Sequence, residues 1–404
     1  MIGEPASMAT AVGQALDDAV AQVTDAVRAE PAGSLGEAAP GSYPRTMHPW
    51  AAAVGSLLTL VILWDAFQTI ILSRRVSRRF RPTRAFYRLL WTPWRAAAKR
   101  VPQGNRRENV LTVFGPLSLI LLIALWALGL IVSFALLQWG FGSQLTDPDG
   151  HTGFGVDLYL SGTTFFTLGL GDVTPRTALA RGLTVFESGI GFAFLALVIG
   201  YVPLISQAFS RREVSISMLD ASAGSPPTAA QLLRRHFRDE DADIRGFFRD
   251  WERWSAELLE SHVSFPVLSY FRSQHDNQSW VAALTTILDV CALVVARIEE
   301  RPMPTARLTF AMARHAVVDL CAVFSLKPTP PPVDRLPPSE EKRLESFVAA
   351  VGVRFRADEA AVAKFRALRA MYEPYVHALS SFLIMPLPEW VSPEGANDSW
   401  HTMA

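Results

Sequence analysis

The sequence predicts an all-α membrane protein: three transmembrane helices, a short re-entrant helix between the second and third, and an α-helical region after them. Three observations predict it. Three apolar runs are each long enough to cross a bilayer. The loop after the first run is crowded with Arg, and the loop after the second has neither Arg nor Lys. From Val214 onward, apolar residues recur with a period near 3.6.

Composition narrows the classes. The chain has 404 residues, with 38 Lys and Arg against 38 Asp and Glu. Zero net charge argues against a general nucleic-acid binder. A hydrophobic share of 50% with 19% charged residues excludes a mostly disordered chain. Cys291 and Cys321 are the only cysteines, which excludes a disulfide scaffold and a four-Cys zinc module. A mean hydropathy of +0.20 turns attention to membrane spans.

Residues 1–48 carry six acids and two Arg and have no basic start followed by an apolar stretch, so they do not read as a signal peptide. They read as a mostly disordered extracytoplasmic segment, with a short Ala-rich amphipathic stretch over 8–27. The first span, 50–72, lies in a 49–73 segment and carries one charge, Asp65. Intramembrane carboxylates are paired or functional. Asp65 is therefore either a gating or proton-sensing group or the partner of an Arg in the loop that follows.

Residues 74–108 hold eleven Arg and one Lys against one acid, which places the 74–109 loop in the cytoplasm. Trp91, Trp94, Phe86, Leu89 and Leu90 alternate with Arg84, Arg88 and Arg95, the pattern of a helix lying on the inner leaflet. The second span, 110–138, has no charge, and residues 139–156 carry Asp147 and Asp149 without Lys or Arg, so that loop is outside. The third span covers 178–206 and leads to Arg211 and Arg212 on the inner side. The expectation is an integral protein of the plasma (inner) membrane, with its amino terminus extracytoplasmic and its carboxyl terminus cytoplasmic.

Between the second and third spans, residues 157–167 are too few to cross a bilayer and suit a re-entrant helix of about three turns. Such a segment is stable at membrane depth when it is buried in protein or lines a water-filled path. Thr167-Leu168-Gly169-Leu170-Gly171-Asp172 follows. A ring of backbone carbonyls can replace the water shell of a monovalent cation. Aiming successive carbonyls at one axis needs alternating backbone hand, which Gly supplies at low cost. Thr167 adds a hydroxyl, and Asp172 at the outer mouth raises the local cation concentration.

These residues make 112–210, about a quarter of the chain, resemble the pore domain of the potassium-channel superfamily: outer helix, pore helix, T-V-G-Y-G-D filter, inner helix. The resemblance assigns Thr167 to Gly171 to the ion-conducting filter and Asp172 to its outer mouth. It places Tyr159 at a pore-helix position that is often aromatic and Pro175 at the usual spacing after the filter. It sets Gly191 at the hinge of the inner helix, twenty residues after Gly171. It implies K⁺ as the conducted ion with no organic cofactor. Four filter segments are needed and this chain supplies one, so it implies a homotetramer in a lipid bilayer.

Two positions depart from the family. Leu168 replaces Val, and Leu170 replaces Tyr, whose hydroxyl would tie the filter to the pore helix. Some animal channels resemble this chain in carrying Leu there. The expected function is a K⁺-selective channel gated by the helical cytoplasmic region through an unknown ligand. The alternatives are a weakly selective or nonselective cation channel, or a non-conducting membrane sensor or scaffold. No nucleophile elbow, phosphate loop or metal-hydrolase motif points to an enzyme.

Further polar and flexible positions join the candidate site, which spans 110–210. Glu187 lies sixteen residues after Gly171, in the outer half of the third span, as a filter support or a partner of Arg181. Gly189, Gly191, Gly200 and Pro203 punctuate that span, either as bends that open its inner end or as close-packing positions. Phe192, Leu195 and Ile199 share one face, suited to a hydrophobic constriction.

Residues 211–404 read as an α-helical regulatory domain, with helices over 229–237, 241–261, 280–297, 305–324, 340–355 and 358–384 and a Pro-rich spacer over 327–338. Cys291 and Cys321 fall on apolar faces, as core residues. No Gly-rich strand-to-helix turn, run of strands or Arg-every-third span appears, so neither a dinucleotide-binding regulator, a cyclic-nucleotide domain nor a voltage sensor is expected. His262, His275 and Asp276 are candidate metal or pH-sensing groups. Ser279 reads as a helix cap, and the His315–Asp319 pair is too small a ligand set for a metal.

Overall fold

The computed structural model describes residues 45–72, 82–148, 151, 153–224, 226–238, 243–274, 278–298, 303–350 and 352–392. It is α-helical throughout, with one two-stranded sheet among the described residues. Three helices are long and apolar enough to cross a membrane: α1 (Pro49–Ile70), α3 (Asn105–Gly140) and α5 (Ala178–Ala223). A shorter helix, α2 (Pro82–Arg100), precedes α3, and α4 (Phe154–Phe165) lies between α3 and α5. Strands β1 (Leu145–Thr146) and β2 (Thr174–Pro175) pair antiparallel, Leu145 opposite Pro175. The residues before 45, those of the basic loop over 73–81, and His275 and Asp276 lie outside the described residues.

The chain divides into two compact units. One is Met1–Leu63 with Trp126–Ala196; the other is Trp64–Leu125 with Leu197–Ala404. In the first, α1 lies against α3 through small residues. A side chain at Gly55 would come within 2.7 Å of the Ser133 carbonyl, and one at Gly140 within 2.3 Å of the Ala52 nitrogen. The Thr59 and Ser133 hydroxyls meet at 2.8 Å in the same contact. Close backbone approach with interhelical hydroxyl bonds is how helices associate where the solvent is itself apolar.

In the second unit, α6 (Ala229–Arg238), α7 (Ile244–Ser264), a 3₁₀ turn (Pro266–Tyr270), α8 (Trp280–Ala296), α9 (Pro304–Val323), α10 (Pro338–Ala349), α11 (Glu359–Ala370) and α12 (Glu373–Leu383) form a bundle. Helix α8 is its centre, apolar on every side and buried along almost its whole length. Such a helix must be enclosed. Its one acid, Asp289, is held by Arg335 at 2.7 Å and by the Tyr372 hydroxyl at 2.5 Å. Cys291 and Cys321 are buried free thiols, and burial pushes the Cys321 thiol up to about 12.

Capping fixes the helix starts. Ser279 accepts the Ala282 amide at 3.0 Å, Asp243 that of Gly246 at 2.8 Å and Asp358 that of Ala361 at 2.9 Å. Three expectations need correction. The single helix expected over 358–384 is two, α11 and α12, because Pro374 has no amide to continue the ladder and opens a new first turn. The helix expected over 340–355 ends at Ala349, and Phe355 instead bridges to Ile298. The third span does not stop near 206: α5 runs 46 residues, about 69 Å at 1.5 Å each, into the second unit.

Helix α2 also has protein partners on one face. Tyr87 and Trp91 are buried against Tyr270, at ring separations of 5.7 and 5.1 Å, so this aromatic face is covered by protein rather than left for lipid. The Trp91 indole donates to the Phe382 carbonyl, Arg95 to that of Ser381 and Arg84 to that of Val323. These are the free carbonyls at the ends of α12 and α9, where cations are favoured.

Candidate ion-conduction site

Helix α4 has twelve residues, about 18 Å, too short to span a hydrocarbon layer of roughly 30 Å. Its first turn carries Asp157, buried and gripped by both carboxylate oxygens: Arg45 Nη1 lies 2.8 Å from Oδ1 and 2.9 Å from Oδ2. An acid suits the amino end of a helix dipole, and the two-oxygen grip fixes its position. The sequence reading missed this pair. Its only local signal is an acid in a first turn, and its partner is 112 positions away.

The carboxyl end of α4 leads directly into 167–172. The Thr167 amide donates to the Thr164 carbonyl at 2.9 Å and the Leu168 amide to that of Thr163 at 2.8 Å. The backbone then alternates in hand. Thr167, Gly169 and Gly171 have φ of 55°, 57° and 79°, whereas Leu168 and Leu170 stay on the ordinary side. Successive peptide units along a short extended segment are therefore turned in regular alternation, the arrangement that can line up carbonyl oxygens. Gly takes positive φ at little cost; Thr167 does so as the residue that leaves the helix.

The segment is braced from its neighbours. The Tyr159 hydroxyl donates to Asp172 Oδ2 at 2.7 Å and holds that carboxyl below the usual carboxylate range. Thr174 and Pro175, just beyond, pair with Thr146 and Leu145 in the small sheet, and Arg176 reaches the Thr146 hydroxyl. The side chains of Leu168 and Leu170 are exposed.

Glu187, on α5, is buried behind α4 and contacts the Ser161 hydroxyl, which also lies 2.7 Å from the Ile131 carbonyl. Ser161 has one proton for these two acceptors. The second Glu187 oxygen has no hydrogen-bond partner among the described residues, so the carboxyl has capacity for a further donor. Arg181 does not reach it; its guanidinium is on the Pro175 carbonyl.

Gly191 lies where α5 touches the end of α4. A side chain there would meet the Phe165 carbonyl oxygen at 2.2 Å. This is a close-packing position, and α5 is unbroken through it and through Gly200 and Pro203. Phe192, Leu195 and Ile199 are exposed on α5.

Asp65, in the other unit, accepts the Thr83 amide at 3.2 Å and its hydroxyl at 2.6 Å, so it caps the start of α2. His262 is fully buried in the bundle. One ring nitrogen lies 2.9 Å from the Leu258 carbonyl and the other 3.2 Å from Arg212. Burial, and then the Arg212 charge, hold its pKa well below the ordinary histidine value. Among the described residues no three His, Cys, Asp or Glu side chains are grouped as metal ligands.

Comparison with known proteins gives a match over part of the chain. Residues 120–203, from α3 through the first half of α5, match the Ion_trans_2 family model, described as an ion channel. The chain is also similar to an uncharacterized membrane protein, YdjJ of Bacillus subtilis, with 23% identity over 213 residues. That match covers 52% of this chain and 61% of the relative. No solved structure matches the chain at a significant level.

Proposed function

We propose that residues 120–203, which match an ion-channel family model, form the pore of a K⁺-selective channel of which this chain is the subunit. In this reading the carbonyls of Thr167 to Gly171 replace the water shell of K⁺, and Asp172 concentrates cations at the outer mouth. The observation that supports it most is the alternation of backbone hand at Thr167, Gly169 and Gly171, set at the carboxyl end of a helix too short to span. That end carries the negative pole of the helix dipole, which favours a nearby cation.

One chain gives one side of such a ring, so the channel is a homotetramer about the filter axis. Exposed Leu168 and Leu170, and the exposed α5 face of Phe192, Leu195 and Ile199, are the surfaces that assembly and pore would use. The charge distribution puts the amino terminus outside the inner membrane and the helical bundle in the cytoplasm. Gating by the bundle then runs through α5, which enters it without a break. On α5 itself, buried Arg212 is fixed to the Leu268 and Phe271 carbonyls at 2.9 Å each.

A weakly selective pore is the second reading, favoured by Leu170. The Tyr159 hydroxyl is spent on Asp172, and Leu170 has no group with which to tie the middle of the filter to α4.

The test is cation flux from liposomes containing the purified full chain, comparing K⁺, Rb⁺, Na⁺ and Li⁺. K⁺ and Rb⁺ flux that Gly169→Asp abolishes is the expected result. Equal Na⁺ flux that Leu170→Tyr suppresses would replace selective conduction by the second reading. No flux of any cation under any condition that alters the bundle would leave a non-conducting sensor.

A further inference from the structure

Within the second unit, a cavity of about 150 Å³ lies between the end of α1, α2, α5 and the bundle. Tyr87, Trp91, Tyr270, Phe324 and Phe382 give it a cluster of aromatic walls. Apolar cavities near this size hold a benzene-sized molecule. Three polar side chains on the lining are the unusual feature. Gln68, Tyr201 and Tyr270 are 8%, 3% and 5% exposed, and none has a hydrogen-bond partner among the described residues. All three line one open cavity, where their donors are free to meet a ligand with acceptor oxygens.

The rim supplies charge. Arg84 and Arg88 line the cavity and are exposed at its edge. Arg84 also holds the Val323 carbonyl at 2.6 Å, whereas Arg88 has no partner among the described residues. The one carboxylate on the lining, Asp65, binds Thr83. Two walls come from membrane-spanning helices, through Gln68 of α1 and Tyr201 of α5. Close by, α1 and α5 expose Phe67, Ile71 and Leu204, a surface suited to acyl chains.

We propose that this cavity binds one anionic phospholipid of the adjacent leaflet. The phosphate sits on Arg84 and Arg88. The ester carbonyls accept from the Tyr201 and Tyr270 hydroxyls and the Gln68 amide. The first carbons of one chain enter the aromatic pocket, and the rest run along the exposed apolar faces of α1 and α5. A soluble phosphate ester would satisfy the arginines but leave the aromatic walls and lipid-level entrance unused. Basic pockets beside membrane helices are suited to anionic headgroups. The proposal rests on the membrane placement given above only for the leaflet, the inner one; the binding chemistry does not depend on conduction.

The test is binding to the purified full chain in neutral detergent, read by mass spectrometry that preserves bound lipid. Phosphatidylglycerol and phosphatidylcholine are compared in the wild type, Arg88→Gln and Gln68→Leu, with Arg100→Gln as a control that removes the same charge elsewhere on α2. The wild type is expected to retain one phosphatidylglycerol per chain with at least about tenfold preference. Arg88→Gln is expected to weaken binding about tenfold, the worth of one charge-assisted hydrogen bond. Arg100→Gln should leave it unchanged.

Equal retention of the two lipids, or equal loss with Arg88→Gln and Arg100→Gln, overturns the site. Glycerol phosphate binding as tightly as dihexanoyl phosphatidylglycerol overturns the lipid and leaves a phosphate-ester pocket. Arg88 is exposed, so its variant tests the proposal even if Gln68→Leu fails to fold. Because no ion flux enters the readout, a non-conducting pore and an empty cavity are separate results.

Discussion

Replacing Gly191 with Ala separates two roles for the glycines of α5. The added methyl would sit 2.2 Å from the carbonyl oxygen of Phe165, with the carbonyl carbon at 3.0 Å and Cα at 3.1 Å. All three are backbone atoms of the last residue of α4, two positions before Thr167. To reach even the 3.0 Å floor of real contacts, α4 or α5 must retreat by about 0.8 Å. Overpacking of this kind costs about 1–3 kcal/mol. Ala in place of Gly in a helix returns up to about 1 kcal/mol. A residual strain near 1.4 kcal/mol is a factor of about ten in the population of an undistorted filter. Gly189 and Gly200 have nothing within 4 Å where a side chain would grow, so Ala there gains helix propensity without that strain. The assay is K⁺ flux at equal protein density in liposomes, with thermal unfolding in detergent alongside. Gly191→Ala is expected to lose about tenfold in flux or in K⁺ over Na⁺ preference, while Gly189→Ala and Gly200→Ala keep theirs. Unchanged flux in Gly191→Ala together with loss in Gly200→Ala would refute close packing and restore the hinge.

Two further outcomes follow from buried charge. Arg45→Gln leaves the buried Asp157 carboxylate without its two-oxygen partner, at a cost of about 3–5 kcal/mol. Adding Asp157→Asn should recover most of it, and simple additivity in thermal unfolding would show that the pair is not coupled. His262 is kept neutral by its surroundings, with a folded-state pKa below the unfolded one. Below about pH 6.5 the unfolded chain binds a proton that the folded chain refuses, so stability falls as pH drops, by at most about 1.4 kcal/mol per unit. Above that pH this residue makes no contribution. His262→Asn should flatten this part of the profile between pH 7 and 5, and an unaltered slope would assign the acid sensitivity to other groups.

What could be read in the sequence was what local rules encode. Span length, the lack of charge over 110–138 and the Gly alternation at 169 and 171 all act over a few residues, and each has a direct structural counterpart. What stayed hidden depends on partners far along the chain. Arg45 and Asp157 are separated by 112 positions, and no spacing rule joins them. Gln68, Tyr201 and Tyr270 meet only because the bundle folds back against α1 and α5. Helix α8 makes the physical point sharply. Its composition is as apolar as that of a span, yet it is 17 residues long and carries Asp289 in its middle. In a bilayer that carboxylate would be expensive; here Arg335 and Tyr372, 46 and 83 positions away, pair it inside a protein core. Helix α2 is the complementary case. Aromatic residues spaced among arginines satisfy a lipid surface and a protein groove equally well. Tyr270 and the open carbonyl ends of α9 and α12 give Trp91, Arg84 and Arg95 protein partners, while Leu89 on the same helix stays exposed. An amphipathic pattern thus states that a helix must cover its apolar face, and only the long-range partners decide with what.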